Sequence, residues 1–277
     1  MNSLTLCADD YGLAPGVSRA IRQLIVAGRL QATGCMTGSP HWPEAARELK
    51  PLDGRADIGL HLTLTDQVPL GPMPGLAPEG RLPPVGAMVK RAVLGRLDRA
   101  EIAAELDRQL NSFEAAFGRA PDFIDGHHHV HQLPGVREAV IAAWRTRLNR
   151  RGWVRSCWEP PTAILGRGVD WTRALVISEL GRGMRRMLVR EGVPHNRSFR
   201  GVYDLSDRVP YGRLFTAFTD RPGAATLVMC HPGLVDAALV AADCVTHRRE
   251  SEFHYLASDE CGRSLAARGL QLTRLPI

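Results

Sequence analysis

Short apolar runs alternate along the whole chain with longer amphipathic stretches, and this alternation restricts the possible folds more than any other feature. We interpret seven of the runs as buried strands: residues 4–8, 32–36, 58–64, 123–126, 153–157, 225–230 and 270–274. Between them, apolar residues recur at helical spacing, beginning with Val17, Ile21 and Leu24. Repeated strand–helix units favour a parallel sheet that is covered by helices.

The alternation runs from end to end without a linker, a repeat or a low-complexity tract. We therefore predict one α/β domain over residues 1–277, with further helices near 102–117, 133–148, 172–191, 247–256 and 258–268. About seven mainly parallel strands suit a TIM-like (β/α) barrel, although an open sheet also fits the pattern.

Composition excludes several protein classes. Of the 277 residues, 44% are hydrophobic and 23% charged, which is typical of globular proteins and not of disordered or fibrous ones. No apolar run approaches the roughly 18 residues of a membrane span, and the opening residues do not resemble a secretory signal. The six cysteines are scattered without a CxxC pair, which predicts reduced thiols and a cytoplasmic protein.

The basic residues do not form a nucleic-acid site. The formal net charge is +6, and all but two of the 35 basic residues are arginine. They are spread along the chain, and the densest group, Arg182, Arg185, Arg186 and Arg190, has helical spacing. We interpret this group as a solvated helix face and predict no nucleic-acid partner.

Residues 66–86 differ in amino-acid composition from the rest of the chain. Six prolines and four glycines fall within this stretch, so it cannot form a regular helix or a strand ladder. Long loops in compact domains are often functional lids. The hypothesis is that this loop closes over a substrate.

Polar residues with catalytic potential lie at the ends of the predicted strands. Asp9 and Asp10 follow the first strand, His61 lies within the third, and His231 follows a late one. The fourth strand leads directly into a run of histidines, residues 127–131. Because the carboxyl ends of parallel strands meet on one face of a barrel, we expect these side chains to converge.

Each of these residues also has a purely structural interpretation. Asp9 and Asp10 could cap a helix or organise a turn, His61 could be a satisfied core histidine, and His231 could be a turn residue before Pro–Gly. The next helix starts near residue 15, however, which is too far away for simple capping. Four imidazoles within five positions are costly unless they are exposed or bind metal. Because all four groups of residues lie at or near strand ends, we favour a shared functional site over four separate structural roles.

Metal chemistry explains these residue types. Two imidazoles and one carboxylate can hold a divalent ion and leave a position open, and such an ion polarises a carbonyl and activates water. A second carboxylate can then act as base and a further histidine as acid. In an extended segment His127, His129 and His131 would share a face, so geometry alone does not choose between them. We expect one divalent ion: the mixed ligand set suits zinc, and magnesium, manganese or cobalt also fit.

Four motifs in order carry a resemblance to a known family. They are ADDYGL at 8–13, GLHL at 59–62, DGHHHVH at 125–131 and MCHPG at 229–233. The set resembles the YdjC family of ChbG/HpnK-type carbohydrate deacetylases, which is related to the NodB-type polysaccharide deacetylases. The family usually has serine where this chain has Gly126.

The resemblance implies a distorted (β/α) barrel that hydrolyses the N-acetyl group of an amino sugar and releases acetate. It implies Asp10, His61 and His127 as metal ligands, Asp9 as general base and His231 as the acid that protonates the leaving amine. The substrate class is an N-acetylated sugar or glycolipid. A homodimer is also possible, and the only support for it is that most soluble oligomers are homo-oligomers, with dimers the commonest.

Four further residues are candidates for the substrate cleft. His129 and His131 would support the site or contact the sugar, and Tyr11 and Trp158, near strand ends, would line the cleft or pack in the core.

The residues alone are also compatible with two other functions. A metal-dependent phosphoesterase usually needs a richer ligand set, and a non-catalytic metal-binding protein would need neither Asp9 nor His231.

Overall fold

Strand β1 (Asn2–Tyr11) is the central strand, because it pairs with β2 (Ala32–Cys35) along one edge and with β7 (Thr226–Cys230) along the other. The structure is a computed structural model, and it describes residues 2–276. The strand order is β5 (Trp153–Val154), β4 (Phe123–Gly126), β3 (Asp57–Leu62), β2, β1, β7 and β6 (Ser198–Arg200). Every pairing is parallel, and β8 (Leu270–Leu272) adds to the start of β1. The predicted distorted barrel of about seven parallel strands is confirmed, as a sheet curled into part of a barrel.

Helices follow most of the strands and cover the outside of the sheet. They are α1 (Pro15–Val26), α2 (Trp42–Leu49), α3 (Val85–Val93), α4 (Arg99–Phe117), α5 (Val136–Thr146), α6 (Pro161–Arg167), α7 (Trp171–Glu191), α8 (Tyr211–Phe218), α9 (Ala237–Ala242), α10 (His247–Ala257) and α11 (Asp259–Ala267). Local chemistry sets several ends. The Asp98 carboxylate accepts hydrogen bonds from the N–H groups of Ala100 and Glu101 in the first turn of α4, and Gly118 ends that helix at a φ of 74°.

Three apolar clusters form the core. One lies between β1, β2 and helices α1, α2, α8, α10 and α11, and a second lies between β3, β4 and helices α3, α4, α5 and α7. The third fills the concave side of the sheet with Cys7, Phe123, Trp153, Phe199 and Leu227, each from a different strand. Phe123 and Trp153 stack there with their ring centroids 4.0 Å apart. Side chains two residues further along these strands point the same way, above this apolar floor.

The two edge strands are joined by a side-chain amide. The described residues show no ladder between β5 and β6. Instead, the Val154 N–H donates to the Pro194 carbonyl, at 3.0 Å. The buried Asn196 side chain accepts from the Ser156 N–H at 2.8 Å and donates to the Ser156 carbonyl at 2.7 Å. Asn196 thus takes the place of a strand residue at this seam.

The strands depart from the sequence predictions mainly at their ends. β1 extends beyond residue 8 to Tyr11, so Asp9 and Asp10 lie within it rather than after it. β5 covers two residues rather than 153–157: the Arg155 N–H still donates to the Ile124 carbonyl of β4, but the Ser156 N–H donates to the Asn196 side chain instead of to a strand. The sequence analysis missed β6 and helices α2, α3, α6, α8 and α9.

Residues 66–84 form no helix or strand, as predicted, but residues 85–86 begin α3. The segment packs on α4. Its Met73, Leu76 and Leu82 side chains are buried in the second apolar cluster. The Glu101 carboxylate accepts hydrogen bonds from the N–H groups of Gly75, at 2.7 Å, and Leu76, at 3.1 Å.

None of the helices between residues 2 and 276 combines the length and the apolar character needed to cross a bilayer.

Candidate active site

A bulge at the end of β1 turns two consecutive aspartates towards one cavity. Successive side chains of a strand normally point to opposite faces. Here the pairing of β1 with β2 shifts register between Ala8 and Tyr11, and Asp10 has a φ of 67°. Bulges of this kind commonly redirect side chains next to active sites. As a result, both Asp9 and Asp10 line the same cavity.

His61 is fixed by the neighbouring strand. Its register partner on β4 is Asp125, and its Nδ1 donates to the Asp125 Oδ1 at 2.7 Å. This bond leaves Nε2 facing Asp10, with 3.3 Å between Nε2 and the Asp10 Oδ1. Gly34 makes the arrangement possible, because a Cβ at this position would lie 2.9 Å from the His61 Nδ1 and 3.0 Å from the Asp125 Oδ1.

The histidine run, His127–Gln132, is a tightly turned segment with a kink at His128 and His129, and not the extended segment that the sequence analysis considered. His128 and His129 have φ values of 51° and 59°. Non-glycine residues in this region are strained, and such strain clusters at functional sites. The turn separates the histidines, so that His127, His128 and His129 line the cavity and His131 is buried beneath it.

Asp10, His61 and His127 converge as predicted. The His127 Nδ1 lies 2.9 Å from the Asp10 Oδ1, and the three ligand atoms all lie within 4.8 Å of one another. One carboxylate oxygen and two imidazole nitrogens at this spacing fit a divalent ion with an open coordination position. The Asp125 bond to the far nitrogen of His61 is the partner that metal-binding histidines generally have. These three residues could therefore hold a metal ion.

Asp9 is paired with a buried arginine that the sequence analysis did not single out. Arg155 is 0% exposed, and its two terminal nitrogens lie 2.8 Å and 2.5 Å from the two Asp9 carboxylate oxygens. The same guanidinium contacts the Asp125 Oδ2 at 2.6 Å. Burial alone would raise the pKa of Asp9, but the Arg155 charge holds it well below its usual range. Asp9 is therefore an oriented, ionised carboxylate.

Asp10 has a second partner as well. The Arg249 Nη2 lies 2.7 Å from the Asp10 Oδ2 and 2.6 Å from the Asp243 Oδ2. Burial opposes ionisation of Asp10, yet the positive charge of Arg249, aided by His127, holds its pKa well below the ordinary value. The oxygen that faces the two histidines is thus the other one, Oδ1.

His231 lines the same cavity as Asp10, His61 and His127, and it directly follows β7. Its Nε2 is 4.0 Å from the Asp9 Oδ2, and its side chain is 15% exposed. Its main-chain N–H donates to the Glu252 carboxylate at 2.6 Å. An imidazole and an ionised carboxylate therefore lie side by side next to the Asp10–His61–His127 group.

The other predicted residues occupy different places. Tyr11 is buried in the core and its hydroxyl donates to the Ala45 carbonyl, while Trp158 stacks on Arg185; neither lines the cavity. His131 is 0% exposed and its Nε2 donates to the Arg155 carbonyl at 3.0 Å. His129 does line the cavity.

The cavity above these residues has a volume of about 730 Å³. Its floor is the group of acids and histidines, and its wall is largely apolar. The wall includes Val85 of α3, Leu133, Val176, Ile177 and Leu180. Among the described residues, Tyr203 is the one aromatic side chain on the wall besides the histidines.

A family comparison agrees with this geometry. The sequence profile of the YdjC-like protein family matches residues 3–267, which is nearly the whole chain. The chain belongs to the YdjC-like family. This confirms the resemblance that the four short motifs indicated.

Named relatives of this YdjC-like chain are deacetylases. A chitooligosaccharide deacetylase of Yersinia pestis (strain Pestoides F) is 31% identical over 272 residues, which cover 97% of this chain and 96% of that protein. A chitooligosaccharide deacetylase of Enterobacter sp. (strain 638) is 40% identical over 134 residues, about half of either chain (48% and 52%).

Solved structures share the fold. A candidate cellobiose-phosphate cleavage protein of Enterococcus faecalis V583 superposes with a TM-score of 0.76 at 21% identity, covering 99% of this chain and 97% of that one. A peptidoglycan N-acetylglucosamine deacetylase superposes with a TM-score of 0.50 at 11% identity, covering 99% and 86%. At these low sequence identities, the comparison shows that the YdjC-like chain and these two proteins share the curled (β/α) fold.

Proposed function

We propose that the protein is a metal-dependent carbohydrate deacetylase that hydrolyses the acetamide of an N-acetylated sugar. The observation that carries the proposal is the placement of a separate ionised carboxylate, Asp9, and an imidazole, His231, beside the Asp10–His61–His127 group. The deacetylase names of the full-length relatives support the same reaction class.

Asp10, His61 and His127 would hold the divalent ion. When bound there, the ion supplies Lewis-acid polarisation of the acetamide carbonyl and activation of water. Zinc, magnesium, manganese and cobalt all remain compatible with one carboxylate and two imidazoles.

Asp9 would act as the general base. Both of its oxygens are oriented by Arg155, and its ionised state leaves it free to accept a proton from the attacking water. His231, 4.0 Å away, would give a proton to the amine nitrogen as the C–N bond breaks. The acetyl group then leaves as acetate and the sugar retains a free amine.

The two alternative functions explain less of the geometry. A phosphoesterase with two or three ions needs further ligands, but the second acid-rich group, Cys7, Asp9 and Asp125, has the Arg155 guanidinium within 3.0 Å of each member. A simple metal-binding protein would not require the oriented Asp9 or the adjacent His231. The deacetylase uses all of these residues.

The cavity wall supports a glycolipid as the substrate class. Hydroxyl groups packed against Leu133, Val176 and Leu180 would lose hydrogen bonds to water, which is unfavourable. An apolar group attached to the sugar would gain about 25 cal/mol for each Å² that it buries there. We therefore propose an N-acetylated sugar that carries an apolar aglycone.

The test is acetate release by metal-reconstituted protein. The panel contains N,N′-diacetylchitobiose and the methyl and octyl glycosides of N-acetylglucosamine. We expect turnover that Asp9→Asn lowers by about 10²- to 10⁴-fold, the usual contribution of a general base, while metal content stays the same. We expect the octyl glycoside to have the lower KM.

Full activity of Asp9→Asn would contradict the mechanism. Equal KM values for the two glycosides would contradict the proposal of a glycolipid substrate. The proposal of a deacetylase activity would be unaffected.

A further inference from the structure

Glu252 of α10 is a buried carboxylate for which the proposed chemistry has no role. Its side chain is 0% exposed. Its two oxygens accept hydrogen bonds from a main-chain N–H and from a tyrosine hydroxyl, and not directly from an arginine. Burial of a carboxylate is costly without such partners, so its position requires an explanation.

One of the two bonds is made to His231 itself. The His231 N–H donates to the Glu252 Oε2 at 2.6 Å. The Tyr203 hydroxyl donates to the other oxygen, Oε1, and accepts from the Arg248 Nε at 3.0 Å. Tyr203 also lines the catalytic cavity. A chain of hydrogen bonds therefore runs from Arg248 through Tyr203 and Glu252 to the main chain of His231.

The His231 ring has no comparable anchor of its own. Its Nδ1 is buried and has no hydrogen-bond partner within residues 2–276. Its Nε2 is 4.0 Å from Asp9, beyond hydrogen-bond distance. The direction of the ring therefore depends on the main chain at residue 231, and the charge-assisted bond to Glu252 is made by the N–H of that residue itself.

The same face of α10 also contacts Asp10, one of the proposed metal ligands. Arg249 and Glu252 are three residues apart, so they are neighbours on the helix surface. Arg249 contacts Asp10, and its carbonyl accepts from the Gly233 N–H at 3.0 Å. One helix face thus holds a metal ligand through Arg249 and His231 through Glu252.

We infer that Glu252 is a positioning residue that holds the His231 imidazole beside Asp9 in the orientation needed to protonate the leaving amine. This inference rests on the proposed role of His231 as the acid. Glu252 touches neither the substrate nor the reacting atoms. It acts through the main chain of His231.

The kinetic test compares two carboxylates on one helix. Glu252→Gln keeps the size of the side chain and removes its charge. The matched control is Glu250→Gln, because Glu250 also accepts a main-chain N–H from the same loop, that of Val235 at 2.9 Å, and leaves His231 untouched. With the octyl glycoside, we expect Glu252→Gln to lower kcat about 10- to 100-fold with KM and metal content unchanged. Glu250→Gln should match the wild type, and an unchanged kcat in Glu252→Gln would overturn the inference.

A second measurement does not depend on turnover. Diethyl pyrocarbonate modifies accessible imidazoles, and mass spectrometry locates the product on His231, whose side chain is 15% exposed. Loss of the anchor should increase local opening and raise the rate of His231 modification about threefold or more in Glu252→Gln, but not in Glu250→Gln. Tyr203→Phe, which removes the hydroxyl donor and keeps the carboxylate, should give a smaller increase.

The two measurements separate this inference from the proposed function. Equal modification of His231 in Glu252→Gln and in the wild type would overturn the positioning role. A fully active His231→Ala variant would instead overturn the role of His231 as the acid, whatever the modification rates show.

Discussion

Three side chains of the site, Asp9, His61 and Asp10, are each held by a second residue. Arg155 orients Asp9, Asp125 orients His61, and Arg249 occupies the far oxygen of Asp10. Partners of this kind set both the direction and the protonation state of the groups they hold. Substitution of a partner should therefore affect the site almost as strongly as substitution of the residue it holds.

Gly34 is the first place to test this idea. Because a methyl group there would lie about 3 Å from both members of the His61–Asp125 pair, Gly34→Ala should displace His61 and weaken zinc binding about 10- to 100-fold, as measured by calorimetric titration. Gly166→Ala is the control, since nothing lies within 4 Å of a Cβ at that position in α6. Equal zinc affinity in the two variants would contradict the requirement for glycine at residue 34.

Arg155 affects stability as well as alignment. Arg155→Gln would leave Asp9 and Asp125 buried without their cation, so we expect the free energy of unfolding in urea to fall by about 3–5 kcal/mol. Arg221→Gln is the control, because its side chain is 91% exposed and exposed ion pairs contribute at most about 1 kcal/mol. A loss below that level in Arg155→Gln would contradict the pairing.

The convergence of the candidate site residues could be predicted from the sequence, but the residues that hold them could not. Asp9, Asp10, His61 and the histidine run stood out because acids and imidazoles are unusual at strand ends. Arg155 was hidden among many arginines, and only its burial marks it. Glu252 lies on an amphipathic helix, where an acidic residue is ordinary.

Among the elements, the segment of residues 66–84 has the most unusual structure. It contains no helix or strand, yet it is held to α4 by Glu101 and by buried apolar side chains. The composition predicted an irregular segment correctly. It could not predict the attachment, because that depends on acidic residues of a helix far along the chain. Whether the segment also closes over substrate stays a prediction.

Glu101→Ala tests the attachment. The N–H groups of Gly75 and Leu76 would lose their acceptor, so the segment should open more often and be cleaved faster in limited proteolysis. Glu114→Ala, at the opposite end of α4, is the control. Mass spectrometry should map the new cleavage to residues 66–84. Cleavage that remains slow in Glu101→Ala would show that the other contacts, such as the Leu70 N–H bond to Glu105 and the apolar side chains, are sufficient to hold the segment.

The elements missing from the sequence analysis are short or begin at proline. β6 has three residues and α9 has six, too few for a periodic pattern to appear. α6 starts at the second of two prolines, and the sequence analysis assigned no element there. The longer helices α4 and α7 were predicted to within a few residues, because their apolar stripes repeat over five turns.

At the scale of the whole molecule, buried histidines make stability depend on pH. Burial lowers the pKa of His131 from its ordinary value of 6.5 to about 4. The unfolded chain therefore takes up this proton first, and the contribution of His131 to stability is complete above pH 6.5 and is lost as the pH falls towards 4. His131→Asn should remove up to about 1.4 kcal/mol per pH unit from the acid slope of the unfolding free energy.

The measurement is urea unfolding between pH 4 and pH 7. His247→Asn is the control, because this side chain is 80% exposed. An acid slope that is the same in His131→Asn as in the wild type would mean that His131 is protonated in the folded protein.

The amide seam at Asn196 has a consequence for the behaviour of the chain in concentrated solution. Open sheets expose edge strands that can recruit another polypeptide. Here the terminal strands have only two and three residues, and Asn196 already satisfies the backbone groups of Ser156 next to one of them. A strand from another chain would therefore have very few unpaired backbone N–H and C=O groups to pair with. We expect this incomplete barrel to resist edge-to-edge aggregation although its sheet does not close.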